Sequence, residues 1–266
     1  MALFLSQRWN QQPSGPTQLN PNSNATNKLV FACLPGQSGM QYTNGRMPTR
    51  NTGFSAVPTT AGMAMQSSAV ANTGLQYGVL QPIPANSNAF SILGIGSSAS
   101  GSRGSLYSQA YAVSPYPGIG LVINEDASGV SALNSYNYCL IDYNGAILSG
   151  AASTAFNDGK MHVVIGVRPA ATAAQIYVDG VNATASTAGT LAANSGNALQ
   201  QVCVGNDAMY TLTDRVYLAP ISLAVVWNRV LSAGEISSIS QNPWQLFAPI
   251  KPVIYNFPSL RVGGRL

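Results

Sequence analysis

The 266-residue chain is predicted to fold as one all-β domain: an antiparallel β-sandwich with a short helix near its end and extended arms at both termini. Three observations point there. Apolar segments are short and are broken by Gly, Pro, Asn and Asp, the punctuation of strands and turns. Helical periodicity is almost absent outside Ser232 to Gln241. No fixed-period repeat of the propeller or solenoid kind runs through the chain.

The elements follow in order. Residues 6–27 are rich in Gln, Asn, Pro and Ser and read as irregular or extended, so 1–27 is taken as an N-terminal arm. Lys28 to Leu34 is the first strand, stopped by Pro35-Gly36, and Asn44-Gly45 is a hairpin signal. Tyr77 to Ile83 and Phe90 to Ile95 read as strands, and Gly94 to Ser105 as a Gly/Ser loop. Tyr107 to Val113, Ile119 to Asn124 and Ser135 to Tyr143 follow as strands. Met161 to Val167 and Gln175 to Val178 flank a turn at Pro169 to Thr172. Asp179-Gly180 closes the next hairpin, because both residue types tolerate positive φ. Val202 to Gly205, Arg215 to Leu218 and the apolar Ile221 to Trp227 complete the strands.

Ser232 and Glu235 have the spacing of a capping box, and Leu231 and Ile236 that of a hydrophobic staple. Asn242-Pro243 stops this helix, since proline disfavours helical geometry in the residue before it. A helix of about nine residues is not stable alone and must pack on something larger. The body is therefore placed at 28–244 and a C-terminal arm at 245–266. Pro249, Pro252 and Pro258 forbid a long helix in that arm. Its apolar residues, among them Phe247, Ile250, Tyr255 and Phe257, demand burial on this domain or on a neighbour.

Charge is sparse. Only 8% of residues are charged, against roughly 25% in ordinary domains. Such a surface suits close packing without repulsion between subunits, or a plain exported-type β-rich surface. Residues 1–124 hold Arg8, Lys28, Arg46, Arg50 and Arg103 and no acid, while all eight acids fall in 125–266. The five cations form no run, which argues against nucleic-acid binding. Cys33, Cys139 and Cys203 are widely spaced without a C-x-x-C pair and read as buried free thiols. Met1 to Trp9 lacks the leading charge of a signal peptide. No apolar run approaches the ~20 residues of a membrane span. Synthesis and retention in the cytoplasm are expected.

A catalytic set is hard to assemble. Glycoside hydrolysis needs two carboxylates facing across the sugar. Glu125 and Asp126 are adjacent and would point to opposite faces of a strand, Glu235 is used by its cap, and Asp179 by its turn. His162, the only histidine, lies among strand valines and is expected to be a satisfied structural residue; a Ser–His–Asp triad would have to use it. Zinc is improbable with one His and no paired cysteines. Gly94-Ile95-Gly96 is no dinucleotide fingerprint, since Ala99 stands where a third glycine belongs and no helix follows. Tyr107, Tyr111, Tyr116, Tyr136, Tyr138 and Tyr210 are candidates to stack on sugars from loops or strand ends, with core packing as the alternative.

Several segments carry a family resemblance. Asp158-Gly159-Lys160-Met161-His162-Val163-Val164, then Gln175-Ile176-Tyr177-Val178-Asp179-Gly180, resemble the central strands of laminin G-like domains. Met161 departs from the aromatic usual there. The close, Trp227-Asn228-Arg229 through the capping box to Asn242-Pro243-Trp244, and the start, Arg8-Trp9, Gln12-Pro13, Asn20-Pro21 and Lys28 to Ala32, are similar to concanavalin A-like (laminin G-like) jelly-roll proteins of tailed-phage virions. The resemblance covers about the first 35 residues and 158–249.

It implies a concanavalin A-like jelly roll serving as a structural or accessory virion protein. Such a protein would be a head- or tail-attached fibre, decoration or minor tail component. It would contact itself as a homo-oligomer and other virion proteins, with no nucleic acid, no membrane and no enzymatic activity. Trp9, Trp244, Phe247, Tyr255 and Phe257 are the implied assembly contacts, packing within the chain being the alternative. A second implied role is lectin-like recognition of host surface glycans. No cofactor is expected, with calcium as the exception. Some family members hold it at the sandwich rim through Asp and Asn oxygens, as hard cations prefer. Asn206-Asp207 and, after Asn124, Glu125-Asp126 are the places that could supply them here, polar turn residues being the alternative.

Overall fold

The computed structural model describes residues 12–13, 15–68, 73–84, 87, 89–97, 103–111, 117–124, 136–143, 147–170, 172–189, 199–207 and 216–250. The first strands are β1 (Thr17–Leu19), β2 (Leu29–Cys33), β3 (Arg50–Thr52), β4 (Phe54–Thr59), β5 (Gly62–Ser67) and β6 (Gly74–Val79). The middle of the chain gives β7 (Phe90–Ser97), β8 (Gly104–Ala110), β9 (Gly118–Ile123), β10 (Asn137–Tyr143), β11 (Ile147–Ala155) and β12 (Met161–Arg168). The rest are β13 (Gln175–Val178), β14 (Val181–Asn182), β15 (Thr184–Gly189), β16 (Gln201–Val204), β17 (Ile221–Trp227) and β18 (Phe247–Pro249), with helix α1 (Ala233–Gln241) between the last two.

Apart from the β1/β18 ribbon, these strands form two antiparallel sheets. One runs β15-β11-β10-β9-β8-β16-β6-β3; the other runs β14-β13-β12-β7-β17-β5-β4, with β2 also paired to β17. The expected β-sandwich is therefore the observed fold. Between the sheets, Phe90, Ile92, Val164, Ile176 and Val226 of one layer meet Tyr77, Tyr107, Leu121, Tyr138 and Leu140 of the other.

The β7/β12/β17 sheet is buried on its outer side as well. Leu93, Ile95, Ile165, Val167, Leu223, Val225 and Trp227 point away from the first core and meet Ile236, Ile239, Trp244, Leu246 and Phe247. Two-sided burial is why β7 and β17 are buried at every position and are rich in apolar residues. Each such large side chain contributes about 1.5–3 kcal/mol on burial. This second core supplies the partner that a nine-residue helix requires. Trp227 is fixed in it by an Nε1–H donated to the Ala25 carbonyl at 2.6 Å.

Helix α1 starts as expected. Ser232 Oγ accepts from the Glu235 N–H at 3.3 Å, and Glu235 Oε2 accepts from the Ser232 N–H at 2.9 Å. The N-terminal arm is not wholly irregular: β1 pairs with β18 in the register Thr17↔Pro249, Gln18↔Ala248, Leu19↔Phe247. The ribbon is extended by Asn20 N–H to Leu246 O and Ile250 N–H to Pro16 O.

Other differences have physical causes. The expected loop at Gly94 to Ser105 is strand up to Ser97 and again from Gly104, because Gly94 and Gly96 let Leu106 and Tyr217 of the facing layer approach closely. The strand expected at Arg215 to Leu218 is not formed over the described 216–218. Tyr217 instead plugs the core, with its hydroxyl donating to the Ser97 carbonyl. Strands β4 and β5 escape a sequence reading because Pro58 argues against a strand; β4 is an edge, where proline is tolerated. Among the described residues no helix is long and apolar enough to cross a membrane.

Candidate functional site

The family-like motifs converge on one place, the His162 side chain. The turn Asp158-Gly159 precedes β12, and the hairpin Asp179-Gly180 joins β13 to β14. Asp179 is held at φ 51 and Gly180 at φ 84, the left-handed geometry of this tight turn. That places the Asp179 carboxylate against β12. Its Oδ1 accepts from the Val163 N–H at 2.9 Å, and its Oδ2 lies 2.7 Å from His162 Nδ1. Asp158 Oδ1 lies 3.0 Å from His162 Nε2, and its Oδ2 lies 3.7 Å from the exposed Lys160 Nζ. Phe156 and Tyr138 pack on the imidazole.

Both ring nitrogens thus face carboxylates. The Asp179 hydrogen bond, aided by Asp158 and opposed by burial, raises the His162 pKa above its ordinary value. The Lys160 N–H, then His162, lowers Asp158. Burial works to raise Asp179, but its bonds to His162 and Val163 bring it below the usual carboxylate value. The arrangement is a clip that fastens two turns. Nε2 is occupied by Asp158, where a triad histidine would face a serine hydroxyl. This is the satisfied strand histidine that the sequence suggests.

A second buried group went unrecognised in the sequence. Asp142 of β10 and Arg168 of β12 are each 1% exposed and meet between the sheets, with Nε and Oδ2 3.7 Å apart. Among the described residues neither Asp142 oxygen has a hydrogen-bond partner. Burial pushes its carboxyl up to about 7, against the opposing pull of Arg168. The alternation of Tyr138, Leu140 and Asp142 on one face was the available signal. An acid at the third inward position needs a partner.

The rim candidates serve the fold. Asn206 is fully buried; its Nδ2 donates to the Thr73 carbonyl at 2.9 Å and its Oδ1 accepts from the Asp207 N–H at 2.7 Å. Asp207 Oδ1 accepts from Ser108 Oγ at 3.3 Å. Both ends of the Asn206 amide are thus engaged in the loop. Glu125 and Asp126 lie outside the described residues. No group of three His, Cys, Asp or Glu suited to a metal occurs among those described.

Of the implied assembly contacts, Trp244 and Phe247 are buried in the chain's own second core, so packing within the chain accounts for both. Trp9, Tyr255 and Phe257 lie outside the described residues. Among the tyrosines, Tyr107 and Tyr138 are core residues and not sugar platforms, as their inward positions on β8 and β10 require. Tyr111 and Tyr136 are half-buried, and Tyr116 and Tyr210 lie outside the described residues. The three cysteines are buried and free, and burial raises Cys33 to about 12.

Among the described residues each acid is engaged within the fold. The model of the concanavalin A-like lectin/glucanases superfamily matches residues 84–237, more than half of the chain. The chain belongs to this superfamily. No curated protein matches the sequence. Among solved structures it is similar to the binding domain of Paraclostridial Mosquitocidal Protein 1, at 10% identity and TM-score 0.59, covering 81% of this chain and 52% of that one. It is also similar to domain 4 of AbnA, a GH43 extracellular arabinanase from Geobacillus stearothermophilus, in complex with arabinotriose; identity is 13%, TM-score 0.58 and coverage 80% and 98%. Trypanosoma rangeli sialidase in complex with sialic acid gives 14%, 0.55, and coverage of 82% and 33%. The chain thus spans about half of the mosquitocidal chain and a third of the sialidase. At these identities the likeness is one of fold.

Proposed function

We propose that the chain is a non-catalytic building and binding module, a jelly roll carried by a tailed-phage virion as a head- or tail-attached component. The carrying observation is the use made of its acids. Asp158 and Asp179 clip His162, Asp142 faces Arg168, Asp207 holds Ser108, and Glu235 caps α1 and binds Arg229. Every acid among the described residues has a fold partner, which supports contact through neutral surfaces over bond-breaking. The terminal and closing motifs support the virion setting. Particles purified on a density gradient and probed with antibodies to the recombinant chain test it. The chain bands with the particles at a fixed ratio; recovery only in the soluble lysate rejects the reading.

A second reading is favoured by the fold likeness to an arabinotriose-bound domain and by the superfamily's lectins. In it, the module recognises host surface glycans. An array carrying arabino-oligosaccharides and sialosides tests it, with saturable binding by the isolated chain as the expected result. Silence across the array removes this reading and leaves the structural one standing.

A further inference from the structure

Four turns among the described residues share one geometry. In each, the side-chain Oδ1 of an Asn or Asp accepts from the backbone N–H two residues on: Asn20 from Asn22 at 3.1 Å, and Asn44 from Arg46, Asp158 from Lys160 and Asn182 from Thr184 at 3.0 Å. That N–H draws electrons from the side-chain carbonyl carbon, Cγ. It also stands where an oxyanion-hole donor would, ready to stabilise negative charge developing on Oδ1. The nearest nucleophile is the backbone nitrogen of the next residue. That residue and the side chain itself decide what each turn can do.

Three of the four are disarmed. Asn20 is followed by Pro21, whose nitrogen carries no proton to give up. Asn182 is followed by the half-buried Ala183, whose Cβ crowds the approach. Asp158 is followed by Gly159 at φ 69, but its bonds from the Lys160 N–H and His162 hold it ionised, and a carboxylate is a poor electrophile.

Asn44 has none of these defences. Its side chain is a neutral amide, and among the described residues its Nδ2 donates to no group, while Oδ1 is held by Arg46. Asn44 and Gly45 are both exposed. Gly45 lies at φ 71, and a Cβ built there would meet nothing within 4 Å. One bond restrains the nucleophile: the Gly45 N–H donates to the Gln41 carbonyl at 2.9 Å. The turn is closed by the isolated bridge Gln41↔Arg46 and not by a strand ladder. Its opening is therefore a local event of low cost.

We propose that Asn44 is a site of spontaneous deamidation in the folded protein. The Gly45 nitrogen attacks Cγ of Asn44, so that an N–Cγ bond forms and the Cγ–Nδ2 bond breaks. Nδ2 leaves as ammonia with the proton lost by the Gly45 nitrogen. Water then opens the five-membered imide at either of its carbonyls and leaves an aspartyl or an isoaspartyl residue at position 44. No oxidant or reductant takes part. Residues 1–124 hold no acid, so the product is the first in that half, and one new negative charge takes the formal net charge from +4 to +3. It appears two residues from Arg46, whose Nη1 donates to the Val79 carbonyl at 3.0 Å. The charge of this rim, where Met47 and Val79 are exposed, thus changes with the age of the molecule. The site stands apart from the virion and glycan readings.

The test is to incubate the folded full chain in mildly alkaline buffer made with heavy-oxygen water, and to cleave it after Lys28 and Arg46. Peptide 29–46 contains no asparagine but Asn44, and Asn144-Gly145 falls in a different peptide, between Arg103 and Lys160. The share of peptide 29–46 carrying an amide-to-acid exchange and one heavy oxygen is expected to grow with time. It should separate into aspartyl and isoaspartyl forms, and the signal should be lost in Asn44→Gln. A peptide that stays unmodified in the folded chain overturns the proposal, whether or not the urea-unfolded chain converts it. So does conversion without the isoaspartyl form, which would mean direct hydrolysis without attack by Gly45. If Asn44→Gln does not fold, the wild-type peptide and its two product forms decide.

Discussion

The β7/β12/β17 sheet and the β8/β9/β10 sheet have similar outlines and opposite chemistry. The first is covered on both sides, inward by the interlayer core and outward by α1, Trp244 and Phe247, and it is made of Val, Ile and Leu. The second places large polar-tipped residues inward and small ones outward, where Val122, Cys139 and Ala152 form a minor cluster. Its inward hydroxyls and amides need partners. Tyr138 donates to Gly96 O at 3.1 Å, and Gln109 Nε2 donates to Ile83 O and Gln200 Oε1, both at 2.8 Å. One layer is held by buried area on both faces; the other adds to its inward Leu, Ile and Val a set of hydrogen-bonded hydroxyls and amides, and the two respond differently to mutation.

The largest difference is expected from single truncations. Trp227→Ala opens a cavity in the outer core and strands the Ala25 carbonyl, costing about 4 kcal/mol. Tyr138→Phe keeps the ring and loses the hydroxyl's bonds to Gly96 O and to Tyr217, costing about 1–2 kcal/mol. Denaturant unfolding of both variants checks the contrast. Equal losses would mean that the layers are not held in different ways.

The link between layers comes next. At pH 8, where Asp142 is ionised, Asp142→Ala removes a buried counter-charge from the Arg168 cation and costs about 3 kcal/mol. The double variant Asp142→Leu/Arg168→Met removes both charges and is expected to recover most of that loss. A double variant no better than the single one would show that the pair is worth more than its burial costs. A smaller effect follows at the edge of the outer core. Ser232→Ala removes the Oγ acceptor of the Glu235 N–H and costs about 1 kcal/mol. Part of the box survives, because Arg229 still holds Glu235 at 2.6 Å, the contact that first lowers its pKa, to about 2. Thermal unfolding measures it.

How much was legible in the sequence follows the same division. Gln175–Val178 and Ile221–Trp227 are strands over the residues expected: the first alternates buried and half-buried positions before its Asp-Gly turn, and the second is buried throughout and mostly apolar. The capping box of α1 is equally local and was readable. β11 and β15 were not, since Ser, Gly, Ala and Thr carry little β signal of their own and are held in place by their neighbours. The clip was half legible. His162 and Asp179 belong to recognisable motifs, but their meeting depends on the register Val164↔Val178, which no local pattern states. Asp142 and Arg168 lie on strands of different sheets, so their encounter is a property of the sandwich alone.

The smallest expected effect, and the most discriminating, is on pH. The folded pKa of His162 lies above its ordinary 6.5, so its stabilisation is complete below about that pH and is lost as pH rises through the raised value. Asp158 and Asp179 lie below 3.8, so their share is present above that value and lost as pH falls through the lowered ones. The clip is therefore strongest between about pH 4 and 6.5. Asp142, raised from 3.8 to about 7, also favours acid: its share declines between these two values and changes no further above them. Tm of the wild type is expected to fall from pH 5.5 to 8. The part of that fall set by His162 begins at about pH 6.5 and disappears in His162→Gln, while the part set by Asp142 is reduced in Asp142→Asn. A profile in which His162→Gln declines as steeply as the wild type above about pH 6.5 would show that the imidazole is not held charged between its two carboxylates.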